Sequence, residues 1–174
     1  MSVSEELLDV VDENDQVIAI RTRGEIHARG LMHRAVHILV FNSSGALFLQ
    51  KRSMLKDENP GLWDSSAAGH VDSGESYLDC ARRELVEELG VVGSVDLTEL
   101  FRLPASAITG FDHCVVFRAV YDGEMTLQPE EVDAGDWLAP QDMDARVDAG
   151  DPEFTENLFL IWRKYRQLDP DFTR

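Results

Sequence analysis

The stretch Gly69-His70-Val71-Asp72-Ser73-Gly74-Glu75, continued after seven residues by Arg83-Glu84-Leu85-Val86-Glu87-Glu88-Leu89-Gly90-Val91, joins a glycine-bearing loop to a segment of unusual charge. Leu78, Ala81, Leu85 and Leu89 recur at spacings of three and four, which predicts a helix over 76–89 with one apolar face. Gly90 then stops it, as glycine commonly does just past a helix C-terminus. On that helix Glu84, Glu87 and Glu88 stand at i, i+3 and i+4, so three carboxylates share one face beside the apolar stripe. Like charges so placed repel by roughly a few tenths of a kcal/mol per pair. A divalent cation removes that cost, and carboxylates with phosphate oxygens and water are the surroundings Mg²⁺ or Mn²⁺ prefers.

Outward from the helix the chain alternates short strands and helices. The apolar runs 8–11 and 17–20 flank Asp12-Glu13-Asn14-Asp15 and predict an N-terminal hairpin. Residues 35–41 and 46–50 predict two strands about the polar turn Asn42-Ser43-Ser44-Gly45. Residues 53–66, with Asn59-Pro60-Gly61, read as irregular. Further strands are expected over 95–103, 114–121 and 136–138, and helices over 140–149 and 154–167. Without a regular strand–helix alternation, this order predicts an α/β (α+β layered) fold with a mixed sheet.

At 174 residues the chain has the length of one domain with a real core, divided into an N-terminal extension over 1–30 and a core over 31–168. No apolar run approaches the roughly 18 residues of a membrane span, and 1–15 is acidic where a signal peptide would be basic and then apolar. Both features point to a cytoplasmic protein without a membrane partner. Cys80 and Cys114 are isolated and are expected as reduced, buried thiols. The formal net charge of −17, from 33 acidic and 16 basic residues, repels nucleic acid at long range. An acidic protein handling an anionic substrate needs a local positive charge, which a bound metal supplies.

The stretch 69–91 resembles the Nudix box: Gly, five residues, Glu, seven residues, Arg-Glu, an apolar residue, any residue, Glu-Glu, any residue, Gly and an apolar residue. Every fixed position is matched. The resemblance implies the Nudix fold, a mixed sheet sandwiched between helices, and a hydrolase that cleaves diphosphate linkages with Mg²⁺ or Mn²⁺. It assigns Glu84, Glu87 and Glu88 to the metal, Arg83 to holding a carboxylate, Glu75 to the helix start, and Gly69 and Gly90 to backbone requirements. In such an enzyme the metal neutralises charge growing on the diphosphate and activates water for attack on phosphorus, while a carboxylate takes the proton. Glu87 is one candidate for that base. Glu131, beside Glu130 in a loop before Trp137, is another, since some Nudix enzymes place their base in that region.

Outside the box the chain is similar to the isopentenyl-diphosphate isomerase branch of the superfamily. The likeness lies in the N-terminal hairpin, in Leu31-Met32-His33-Arg34-Ala35-Val36-His37, and in Gln50-Lys51-Arg52-Ser53 through Pro60-Gly61-Leu62-Trp63-Asp64. The catalytic cysteine of that branch corresponds to Ala68, which can neither deliver nor take a proton. Its later glutamate aligns with Asp112 or His113. Hydrolysis is therefore expected over isomerisation. A non-catalytic nucleotide-binding domain is the other alternative, disfavoured because such domains usually lose glutamates of the box.

The branch also implies a second metal site, held here by His27, His33, His70 and Asp112. Lys51 and Arg52 could reach a phosphate, and Trp63 and Phe111 could stack on a base or cover an apolar tail. The expected partner is a small diphosphate, a nucleoside diphosphate derivative or a nucleoside triphosphate, and not nucleic acid. Many relatives dimerise, and the apolar residues of 154–162 leave a homodimer open.

Overall fold

The computed structural model describes residues 3–170; the outermost residues of the expected 1–174 domain lie outside the described residues. A short 3-10 turn, Val3–Glu5, leads into β1 (Leu7–Val11) and β2 (Val17–Thr22), which pair antiparallel as the expected hairpin. Next comes α1 (Arg23–Arg29), a helix inside the segment expected to be hairpin alone. Thr22 caps it, with its Oγ1 accepting from the Glu25 N–H, and Gly30 ends it at φ 59°. The local signals, Thr22 three residues before Glu25 and a closing glycine, were present. Two turns of helix with Ile26 as the one buried residue show little apolar periodicity.

The main sheet has seven strands. β3 (His33–Phe41), β4 (Leu47–Arg52), β5 (Trp63–Asp64), β7 (Thr98–Leu103) and β8 (Asp112–Val120) run in the order β5-β4-β3-β8-β7. β6 (Ala67–His70) pairs with β3, and β9 (Val132–Leu138) pairs with β4. The expected hairpin between β3 and β4 is reduced to the single pair Phe41↔Leu47. β3 instead runs parallel to β8 along its whole length and antiparallel to β6 over Ala35–Ile38. With that edge of β3 taken, β4 splays away to pair with β5 and β9. The segment expected to be irregular thus contains β5, and β9 is longer than the three residues predicted.

Alternation along the sheet builds two cores. Leu39, Phe41, Leu49, Val116, Leu158, Ile161 and Trp162 form one, under α3 (Pro140–Ala149) and α4 (Glu156–Leu168). Val36, Ile38, Val40, Val115, Phe117, Ala81, Leu85 and Leu89 form the other, under α2 (Tyr77–Leu89). Because side chains alternate faces with period two, the near-continuous apolar run of β3 serves both layers. The result is the expected mixed sheet between helices. Among the described residues no helix is long and apolar enough to cross a membrane.

Candidate active site

The apolar stripe of α2 lies on the sheet, so its neighbouring face meets β6 and a cavity of about 580 Å³. Glu84, Glu87 and Glu88 all line it, as do Gly69 and His70. Glu88 is 1% exposed. Its Oε2 accepts from Gln50 Nε2 at 2.9 Å and from the Ala68 N–H at 3.0 Å. Glu84 is also buried, and its Oε1 accepts from Arg83 at 2.6 Å. Glu87 stands at the rim with its side chain 56% exposed, 3.0 Å from the same guanidinium.

Arg83 ties the loop to the helix. It donates to both oxygens of Glu75 at 3.0 Å and to the His70 carbonyl at 3.0 Å. Glu75 lies one residue before the true N-cap, Ser76, and also accepts from the Asp72 N–H. It therefore acts on Arg83 and the loop rather than on the helix dipole. Burial opposes its ionisation, but the Arg83 and Asp72 hydrogen bonds prevail and hold it below the usual carboxylate range. Gly69 shows why a glycine is needed: a Cβ there would overlap the Glu84 carboxylate. Gly90 has the other reason, φ 61° at the end of α2.

Burial pushes Glu84 up to about 8, aided by the neighbouring Glu88 and opposed by Arg83. Burial likewise pushes Glu88 up to about 7, against Lys56 and its two hydrogen bonds. Two carboxylates packed together with their charges poorly compensated form a donor set suited to a hard divalent cation.

A second group adjoins it: His70 and Asp112 line the same cavity, and the rings of His27 and His33 lie against that of His70. His27, His33 and His70 bring one ligand atom each within 4.8 Å of one another. His33 Nε2 lies 2.7 Å from Asp112 Oδ1 without hydrogen-bond alignment, and His70 Nε2 lies 4.0 Å from Asp112 Oδ2. His27 Nε2, His33 Nε2 and Asp112 Oδ1 are buried without a hydrogen-bond partner among the described residues. Burial lowers His27 and His70, the latter strongly with help from His33. For His33 burial is outweighed by Asp112, which raises it. Orphaned lone pairs converging on one point are what a bound cation would satisfy.

The remaining expected residues divide. Arg52 lines the cavity, and Glu131 does so paired with Lys56. Lys51 does not line it. β4 turns Gln50 and Arg52 to the cavity and Lys51 to the opposite face, over the Trp63 ring. Trp63, expected in a loop at the cleft, is in β5 and packs on the α3–α4 core. Phe111 also lies outside the lining; at φ 66° its ring rests beside Gly30. Glu130 is exposed, and His113 binds the Asp12 carbonyl away from the cavity. Sequence reading missed Gln50, Lys56, Glu58 and Arg23; the last three line the cavity, and Gln50 reaches it through Glu88. Only Gln50 left a signal, as a polar residue closing the apolar run 46–49.

The NUDIX domain family matches residues 31–158, so the chain belongs to that family of hydrolases. It is 39% identical over 168 residues to an uncharacterized Nudix hydrolase of Yersinia pestis, covering 94% of this chain and 90% of the relative. It is 34% identical over 157 residues to a Serratia proteamaculans protein named isopentenyl-diphosphate Delta-isomerase, covering 87% and 86%. The crystal structure of a Deinococcus radiodurans protein superposes with TM-score 0.81 at 30% identity, covering 91% of this chain and 98% of that one.

Proposed function

We propose that the chain hydrolyses the diphosphate linkage of a nucleoside diphosphate derivative or nucleoside triphosphate, using Mg²⁺ or Mn²⁺ held by Glu84, Glu88 and Glu87. The observation carrying this reading is the buried pair Glu84 and Glu88, fitted against a glycine that leaves room for a carboxylate. A cation there would offset charge building on the diphosphate and activate water. Arg52 and Lys56 lie where they can bind phosphate oxygens, and substrate arriving at Lys56 would free Glu131. Glu131 and Glu87 are the groups placed to take a proton. His27, His33 and His70, with Asp112 beside them, would form a second metal site of the donor type that suits a transition ion.

Isomerisation of a prenyl diphosphate is the second reading, favoured by the Serratia relative's name. Against it, position 68 offers only a methyl group and a backbone N–H committed to Glu88. The test is product release from a panel of nucleotides, nucleoside diphosphate derivatives and prenyl diphosphates with Mg²⁺ or Mn²⁺, beside Glu88→Gln. Metal-dependent hydrolysis that falls at least ~10²-fold in the variant is the expected result. Isomer interconversion, or hydrolysis indifferent to Glu88→Gln, would overturn the proposal.

A further inference from the structure

Two histidines of the proposed second site share one pattern. His33 Nδ1 lies 2.9 Å from the Leu31 carbonyl, which can only accept, so Nδ1 carries the hydrogen. In the neutral ring that leaves the lone pair on Nε2, the buried atom that lies 2.7 Å from Asp112 Oδ1 without an aligned hydrogen bond to it. In His27, Nδ1 lies 3.6 Å from Glu58 Oε1, an ion-pair separation longer than a hydrogen bond, and Nε2 is buried and unpartnered among the described residues. Metal-binding histidines characteristically show one nitrogen directed at an oxygen acceptor and the other left free.

Glu58 lines the cavity and reaches His27 from a different part of the chain. It lies on the segment 53–62 between β4 and β5, whereas His27 is on α1. The segment is anchored close by. Arg52 Nε donates to the Glu58 carbonyl at 3.0 Å, its NH1 lies 3.7 Å from Asp64, and Lys56 pairs with Glu131. The Glu58 side chain is itself 54% exposed, so no packing demand explains its turn toward a half-buried imidazole.

We propose that Glu58 is a positioning residue for the histidine site: its carboxylate holds His27 in the tautomer and orientation that present Nε2 to the cation. This rests on reading His27, His33 and His70 as a metal site, and it adds a residue from the segment that also carries Lys56 to the diphosphate cavity. Loss of such an outer partner weakens metal binding by about 10–100-fold.

The experiment uses the full chain, stripped of metal and then titrated with Co²⁺ in excess Mg²⁺, which occupies the carboxylate site. The visible d–d absorption reports affinity and coordination for wild type, Glu58→Ala, Glu58→Gln, Glu58→Asp and His33→Ala. Melting temperatures confirm that each variant is folded, as expected for a change at a half-exposed side chain. Wild type should bind Co²⁺ and His33→Ala should lose it. Glu58→Ala should bind about 10–100-fold more weakly, and Glu58→Asp should recover most of the loss. Glu58→Gln, which keeps an acceptor without the charge, should fall between. Wild-type binding matched within twofold by Glu58→Ala would overturn the role of Glu58 and leave the histidine site standing. Wild type without Co²⁺ binding, or binding unaffected by His33→Ala, would overturn both.

Discussion

Replacing Gly69 with alanine should preserve the fold and remove most of the activity. Gly69 sits on β6 opposite Val36, without the positive φ found at eight other glycines, so an alanine backbone is tolerated there. The added methyl instead falls on the Glu84 side chain, overlapping its carboxylate and crowding Cγ. Glu84 must swing away, which removes one of the two buried carboxylates proposed to hold the metal. A loss of about 10²-fold in turnover is expected, or ~2.7 kcal/mol at 1.36 kcal/mol per decade. Stability should change little, because burial already disfavours the ionised Glu84 and its release offsets the cost of a methyl. Gly90→Ala is the control. That residue holds φ 61°, and its Cβ would come 2.8 Å from the Thr126 carbonyl oxygen. It should lose ~1–2 kcal/mol, a fall of several degrees in melting temperature, while keeping its activity per folded molecule. The assays are kcat, Mn²⁺ affinity and Tm on both variants. Gly69→Ala with kcat within threefold of wild type would refute the placement of Glu84 at the metal.

Gln50→Leu removes one of the two donors to Glu88 Oε2, leaving the Ala68 N–H alone; Mn²⁺ affinity measured by EPR should weaken ~10-fold, and unchanged affinity would show that Gln50 merely fills space. With Glu84 near 8 and Glu88 near 7 against an ordinary 4.5, folding favours their protonated forms. Their contribution to stability is therefore full below pH ~4.5 and is lost as pH rises through 7 and 8. Because cation and proton compete, added Mg²⁺ should raise Tm more at pH 9 than at pH 6, and equal increments at both would contradict these shifts.

What the sequence disclosed was local. The helix of α2, its carboxylate face and Gly90 follow from spacings of three and four, and the structure reproduces them. Long-range relations were hidden. The reason for Gly69 lies 15 positions away in Glu84, and the parallel pairing of β3 with β8 joins residues 79 apart, as in His33↔Asp112. Lys51 and Arg52 are equivalent as charges, and alternation alone says that they face opposite ways. Which one faces the cavity follows from Gln50 reaching Glu88, a contact across 38 residues. Trp63 and Phe111 lie outside the cavity lining, since aromatic character gives no direction: Trp63 packs on the α3–α4 core, and Phe111 stays exposed beside Gly30.

The N-terminal segment is part of the site's construction. Asp9 on β1 is buried and accepts from Ser73 Oγ at 2.7 Å and from the Gly74 N–H at 3.3 Å, which fixes the turn leading into Glu75. α1 then sends Arg23 to the cavity and sets His27 beside His33 and His70. A chain with 33 acidic and 16 basic residues thereby gathers Arg23, Arg52, Lys56 and Arg83 around one opening. Each cation has a carboxylate near it: Glu6 beside Arg23, Asp64 beside Arg52, Glu131 beside Lys56, and Glu75 on Arg83. An anionic ligand must therefore compete with these partners for every contact. Lys56 and Arg83 have close carboxylate pairs, while the carboxylates nearest Arg23 and Arg52 lie at 3.5 and 3.7 Å. On the proposed function a diphosphate would displace the long pairs first, and a cation between Glu84 and Glu88 would turn the most repulsive wall of the cavity into an attractive one.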